Sequence, residues 1–397
     1  MKKEIAVIGG GPAALAFASF VDTSKFDVTI YEKNKALGRK FLVAGDGGFN
    51  LTHSENIEQL INRYTPVSFL DGALREFTNN DTRVWLENLG IPTFIGSSKR
   101  VYPEGGIKPI QVINVIIDKL KEKGINFVFN KTWTGWNDNE LTFDSEESIK
   151  ADKIVFCLGG GSWKVTGSDG AWLNTFIDQN IETIPFAPAN CAYKINLSKD
   201  FIQRNAGEPL KNIAASYGKR TQKGELVITE FGIEGNAVYA LSSEIQPILD
   251  QGKSVYLEID FKPIFTETEV FNRLEESTFK NSTETLKKGL KLSRVQVDLL
   301  KTILTKEQYT SNKKLAHWIK QFKLEVTDSA TLDEAISTTG GLCLGEIDSN
   351  YQLYKKESNY CIGEMLDWNA PTGGYLLQAC FSMGALLANH LNTSSDS

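Results

Sequence analysis

A buried apolar run, Ile5-Ala6-Val7-Ile8, gives way to Gly9-Gly10-Gly11-Pro12-Ala13-Ala14, then to an apolar helical stretch and a second strand-like segment, Asp27-Val28-Thr29-Ile30-Tyr31, that ends on Glu32. This is a βαβ unit closed by an acid, a pattern that holds a dinucleotide. Gly9 permits the tight turn out of the strand, Gly11 lets the backbone approach a pyrophosphate without a Cβ in the way, and Ala14 keeps the helix close to the sheet. The phosphates then sit on the helix N-terminus at Pro12 and Ala13, where unpaired amides and the positive end of the macrodipole select an anion. Glu32, 18 residues past Ala14, is placed to accept hydrogen bonds from ribose hydroxyls.

Size and composition narrow the remaining classes. With 397 residues, the chain is expected to form two to three domains. A hydrophobic content of 41% with 23% charged residues excludes a disordered chain or a fibre. The net charge of -6 argues against general nucleic-acid binding by the whole molecule. Cys157, Cys191, Cys343, Cys361 and Cys380 are odd in number and lack close pairs, which indicates reduced thiols of a cytoplasmic protein rather than a disulfide framework or a zinc site. No apolar stretch reaches the roughly 18 residues of a membrane span, and Glu4 with the triple glycine interrupts the signal-like start at Lys2-Lys3.

Residues 33 to 56, beginning at Lys33, form a long glycine-rich and polar segment of the kind that is usually functional. Residues 57 to 90 and 109 to 123 read as helices and 126 to 130 as a strand. Lys153 to Leu158 is a buried strand that runs into Gly159-Gly160-Gly161, a second junction where the backbone must come close to something. From 188 to 263 short alternating segments predict a small antiparallel β domain, and from 265 to 320 the spacing of Leu286, Leu290, Val297, Leu300, Ile303 and Leu304 predicts a helical insertion. Between 280 and 323, 11 basic residues face 3 acidic ones, a local charge of +8. A solvated lysine-rich face accounts for this, with a docking surface for an anionic partner as the alternative. Near the C-terminus, Thr338-Thr339-Gly340-Gly341 precedes an expected hairpin, Asn359 to Ile362 reads as a strand, and Gly373-Gly374 opens an apolar helix from Tyr375 to about Leu391.

FAD fits this layout better than a nicotinamide dinucleotide, because its ribityl chain and tricyclic ring need further grips. Arg39 and Lys40, just past Glu32, are candidates for the phosphates and Glu364 for the ribityl hydroxyls. The helix start at Gly373, Gly374 and Tyr375 is a candidate for the pyrimidine edge, where reduced flavin carries negative charge.

These residues resemble a bacterial flavoprotein family of three-domain NAD(P)/FAD-dependent oxidoreductases, with members linked to bile-acid metabolism; the likeness is strongest to an uncharacterised branch. It is carried by Val7 to Ala14, by Gly38-Arg39-Lys40-Phe41, by Ala44 to Ser54, and by Leu158 to Trp163 with Gly159 and Gly160. It continues through Gly167 to Gly170, Ala189-Asn190-Cys191, Ile233-Glu234-Gly235, and Gly363 to Trp368 with Ala370 to Tyr375. The resemblance implies an α/β fold: a Rossmann-like FAD-binding domain from 1–187 and 336–397, an inserted antiparallel β-barrel-like domain from 188–264 and 321–335, and a helical domain over 265–320 inserted in the barrel. It also implies Ala13 and neighbouring amides at the pyrophosphate, Glu32 at the ribose, Arg39 near the adenosine or phosphates, and the Trp133 main chain near adenine. At the flavin end it implies Asn50, Leu51 and Thr52 with Gly363-Glu364 and Gly374-Tyr375. Ala14 stands where many relatives have glycine, and Asp46 and Phe49 replace basic and small residues, which unsettles any inherited substrate preference.

The expected activity is an FAD-dependent oxidoreductase passing hydride from NADH or NADPH to a small unsaturated or oxidised molecule. Only one dinucleotide fingerprint is present, so nicotinamide use is transient. His53, in the glycine-rich loop, is the candidate proton donor; His317 and His390 lie in helical segments and read as structural. Two other readings remain: an oxidase of an amine or hydroxy acid, and a flavin-bearing adaptor whose +8 insert docks a partner such as RNA.

Overall fold

The computed structural model describes residues 2–43, 49–145 and 147–394. The glycine-rich motif at 44–48, with Asp46, lies outside the described residues. Two compact units are present, one from 1–187 with 337–397 and one from 188–336.

The first unit is built on a parallel sheet of β1 (Lys3–Ile8), β2 (Phe26–Glu32), β3 (Asn126–Phe129), β4 (Lys153–Phe156) and β5 (Asn359–Cys361), in the order β5-β4-β1-β2-β3. Ile5, Val7 and Ile8 pair on one side with Lys153, Val155 and Phe156 and on the other with Val28, Ile30 and Tyr31. A strand hydrogen-bonded and covered on both sides must be apolar along its length, and Ile5, Ala6, Val7 and Ile8 are all buried. Helix α1 (Pro12–Phe20) follows β1, α2 (Pro109–Glu122) precedes β3, and α3 (Tyr375–Thr393) closes the unit. The last strand and last helix thus come from sequence some 350 residues beyond the first. Their return depends on close packing: an ideal Cβ on Gly384 of α3 would stand 2.7 Å from both the Ala13 carbonyl oxygen and the Phe17 amide nitrogen. Ser337–Leu342, expected to precede a hairpin, is itself a strand. Its Gly340 takes φ +86° against the Pro185 carbonyl, so the glycines there serve backbone contact and not a turn.

The second unit holds a closed six-stranded barrel, in the order Tyr193–Ile195, Ile233–Glu234, Arg220–Ile228, Pro209–Tyr217, Val255–Asp260 and Phe322–Ser329. Val255, Leu257 and Ile259 alternate inward with Phe322, Leu324 and Val326, the period of two that the sequence shows. Between the last two barrel strands run the helices Glu267–Glu275, Arg294–Ile303, Lys306–Thr310 and Asn312–Lys320. Their apolar faces, through Val270, Leu274, Leu300, Leu315 and Ile319, share one continuous core with the barrel. No helix among the described residues is long and apolar enough to cross a membrane.

Gly384→Ala forces the α1–α3 contact apart and is expected to cost about 1–3 kcal/mol. Gly72→Ala, in a helix where an added Cβ meets nothing within 4 Å, is expected to stabilise by about 0.4–1 kcal/mol. Opposite shifts of the thermal midpoint test the pair.

Candidate functional site

The loop from β1 into α1 is shaped by contacts that leave one face open. Gly9 has φ +97°, and a Cβ there would lie 2.4 Å from the Cys157 carbonyl oxygen, so the turn is pinned against β4. A Cβ on Gly11, by contrast, meets nothing within 4 Å. Gly11 is the N-cap residue of α1 and supplies no side-chain cap, so the first-turn amides keep their donors for an external acceptor. These features fit a dinucleotide pyrophosphate.

Glu32, buried at the end of β2, accepts at Oε2 from the Gly10 amide at 2.8 Å and at Oε1 from the Asn34 amide and side-chain Nδ2, each at 2.8 Å. A carboxylate offers about four lone-pair positions, so its orientation is fixed while room for a further donor remains. Arg39 bonds the Asn34 side-chain oxygen at 2.5 Å and the Val165 carbonyl at 2.8 Å, and Lys33 pairs with Asp169 at 2.8 Å. The four residues Glu32, Asn34, Arg39 and Lys33 therefore tie the end of β2 to the loop at 165–169.

Lys40 and Glu364, 324 positions apart, form an ion pair at 2.9 Å. The Lys40 ammonium also donates to the Ser162 hydroxyl at 2.9 Å. At Gly160 an added Cβ would be 2.2 Å from the Thr338 hydroxyl oxygen and 3.1 Å from the Glu364 carboxyl carbon. The second glycine junction thus makes room for Thr338 and for Glu364 of the ion pair. Ser168 adds a hydroxyl that donates to the Gly160 carbonyl at 2.9 Å. Gly363 lies next to Ala13, with 3.0 Å from its ideal Cβ to the Ala13 methyl carbon.

At the start of α3, Gly374 has φ +99°, and a Cβ would be 2.5 Å from the Thr52 carbonyl carbon. Thr52 donates to Gln378 at 2.6 Å, and the Leu51 amide bonds the Val101 carbonyl at 2.8 Å, which holds the segment from Asn50 to Thr52 on the helix end. Phe49 is buried edge-on against Phe41, with ring centroids 4.8 Å apart. Tyr375 donates to Glu55 at 2.7 Å, and Glu55 accepts both guanidinium contacts of Arg63, at 3.0 and 3.1 Å. Burial alone would raise the Glu55 carboxyl, but the Arg63 and Tyr375 hydrogen bonds outweigh it and hold it below the usual range. Tyr375 itself is pushed well up by burial and by the adjacent Glu55 charge.

His53 stacks on the Tyr375 ring at 5.0 Å. Its Nδ1 accepts from the Glu55 amide at 3.2 Å and the ring also bonds the Ser98 backbone. Burial holds its pKa below the ordinary histidine value, with the Glu55 charge opposing. This environment favours the neutral ring over the imidazolium. Trp133 contributes its ring to an aromatic cluster with Trp136, Phe156 and Phe176, with centroids 4.7 to 5.8 Å away.

Asn34, Glu55 and Arg100 lie in no motif and escaped sequence reasoning, and Ser162 and Ser168 lie in the blocks that carry the resemblance but were given no role there. Arg100 pairs in register with His53, and its Nε is 3.2 Å from an ideal Cβ on Gly373. It has no carboxylate partner among the described residues, which leaves a cation at the start of α3. Only strand pairing across 47 residues reveals this placement. No cluster of metal-binding side chains occurs among the described residues.

Residues 3–390 match the family described as HI0933-like protein Rossmann domain. A 3-dehydro-bile acid delta(4,6)-reductase of Clostridium scindens is 25% identical, with 96% of this chain and 97% of that protein covered. A ribosomal RNA dihydrouridine synthase of Haemophilus influenzae is 22% identical, with 95% of each covered. Among solved structures, the open conformation of a flavocytochrome c3 fumarate reductase superposes with a TM-score of 0.50 at 15% identity, covering 98% of this chain and 78% of that one. That last likeness concerns the fold alone.

A histidine with a depressed folded pKa stabilises the fold above its unfolded value of about 6.5 and loses that contribution as pH falls toward the folded value. The thermal midpoint is therefore expected to drop on acidification from pH 7 toward 5, and His53→Gln is expected to flatten that part of the profile. An unchanged profile in His53→Gln would remove His53 from the account.

Proposed function

We propose, from the premise that this chain belongs to the HI0933-like Rossmann-domain family and is an FAD-dependent oxidoreductase, that it saturates a carbon–carbon double bond conjugated to a carbonyl. One observation carries this reading. The two full-length relatives differ widely in substrate, yet their names describe one bond change: delta(4,6) double bonds conjugated to a 3-oxo group in one, the C5–C6 bond beside a uracil carbonyl in the other. Chemistry common to relatives with unlike substrates belongs to the shared site, whereas the substrates belong to what surrounds it.

Bound FAD supplies two-electron hydride chemistry. The amides of Gly11, Ala13 and Ala14, led into by Gly9 and Pro12, would hold the pyrophosphate, with Glu32 at the ribose and Lys33 and Arg39 bracing the adenosine end. Glu364 and Lys40, over Gly159 and Gly160 and next to Gly363, would hold the ribityl hydroxyls and nearby phosphate. The Trp133 main chain would meet adenine. The Asn50–Leu51–Thr52 segment and the start of α3 at Gly373, Gly374 and Tyr375 would hold the pyrimidine edge. Negative charge develops on the carbonyl oxygen during conjugate reduction, and Arg100 with the α3 amides is the positive group available to oppose it. The electron donor in this reading is NADH or NADPH.

Anaerobic titration with each nicotinamide should bleach the flavin absorbance. A 4,6-dien-3-one or a uridine-containing RNA added afterwards should restore the absorbance and yield a product two hydrogens heavier. A flavin reduced only by an amine or hydroxy acid, and reoxidised only by oxygen, would sink the reading in favour of an oxidase. Glu32→Ala is expected to weaken FAD binding by about ten- to a hundredfold, since a hydrogen bond to a charged group contributes about 1.5–3 kcal/mol. Dialysis followed by flavin fluorescence checks it.

A further inference from the structure

We propose that the helical segment of the second unit docks RNA through a basic turn running from Phe279 to Lys291. Lys280, Lys287, Lys288 and Lys291 are all exposed on it. Lys262 joins them by donating to the Lys291 carbonyl at 3.2 Å. Burial, with the Lys291 charge adding to it, holds the Lys262 ammonium below the usual lysine range. Among the described residues only Lys288 has a carboxylate partner, Glu284 at 3.6 Å. Elsewhere in the segment Arg294 is matched by Glu208, Lys314 by Glu307 and Lys320 by Asp260, whereas Lys301, Lys306, Lys313 and Lys323 have no carboxylate partner among the described residues. What sets the turn apart is density: residues 280–291 hold four lysines and one acidic residue, Glu284.

An aromatic ring completes the surface. Phe279 is 38% exposed, and the Lys288 ammonium stands 5.7 Å from its centroid. Gly289 presents no side chain toward that ring; an added Cβ would be 3.6 Å from it. An open ring flanked by ammonium groups suits a base stacked on the aromatic face with phosphates on the lysines. An acidic polypeptide would use the ammonium groups and leave the ring face idle, so the ring favours nucleic acid. The inference rests on the reductase reading for one step: where the reduced double bond is that of a uracil base, RNA held on this surface is the substrate class.

Fluorescence anisotropy of labelled poly(U) and of a short hairpin RNA with the full-length holoprotein tests the proposal. Four phosphate contacts at about -0.7 each predict a slope near -3 of log Kobs against log salt for the single strand. Lys287→Glu/Lys288→Glu/Lys291→Glu should weaken binding by about tenfold or more, with the flavin spectrum, nicotinamide reduction and thermal midpoint unchanged. Lys119→Glu/Lys121→Glu, on α2, should bind as the parent does. Absent binding at about 50 mM salt, equal loss in both variants, or retention only by phosphatidylserine vesicles would overturn it. Reduction of a small dienone without RNA binding ends this proposal and leaves the reductase reading standing; RNA binding without any conjugate reduction does the reverse.

Discussion

Ala13 is where the two ends of the chain are tied together. Its carbonyl faces Gly384 of the last helix and its methyl group faces Gly363 after the last strand. Because both partners are glycines, α3 can lie against α1 at backbone distance. Any larger side chain at the three positions would separate the dinucleotide loop from the segment that bears Glu364. Dispersion at such separations is weak per atom pair and large in sum, so this packing also keeps a long-range closure stable.

The same closure sets the polarity of the site. Several helices of the chain begin on side-chain caps, as at Thr78, Ser198, Thr266, Ser293 and Thr305, and others, such as Val67–Glu76 and α2, do not. The helices α1 and α3 begin on Gly11 and Gly374 without one. Their first-turn amides therefore have no side-chain acceptor at the cap, and the glycines bring the neighbouring backbone close. Capping either helix with serine or aspartate would satisfy the donors internally and weaken the site that they form.

Much of this was legible in the sequence because it is local. The run Ile5 to Glu32 encodes strand, turn, helix and acid within one window, and the change from period two to helical spacing near residue 265 marks the insertion. What was not legible depends on residues far apart. Lys40 and Glu364 each look like separate ligands until the fold pairs them; Arg100 looks like a surface residue until its strand registers against His53. Gly340 and Gly341 were expected only to precede a hairpin, and their close approach to the Pro185 and Met365 carbonyls was not legible, because a glycine needed for backbone proximity has the same sequence signature as one needed for a bend. His53 stood out as the histidine of a glycine-rich loop, yet a loop position says nothing of burial, and burial is what lowers its pKa.

Charge shows the same difference between sum and arrangement. The chain totals -6, but its segment from 280 to 323 carries +8, so the remainder carries -14. A phosphate approaching the protein responds to charges within a Debye length, about 8–10 Å at physiological ionic strength. At Lys287, Lys288 and Lys291 it meets ammonium groups with one paired carboxylate, Glu284, among the described residues. The overall charge therefore bounds non-specific affinity of the whole surface and places no bound on one turn. Where the basic residues had been scattered, each beside an acid as Lys314 is beside Glu307, the same composition would have produced a surface indifferent to polyanions.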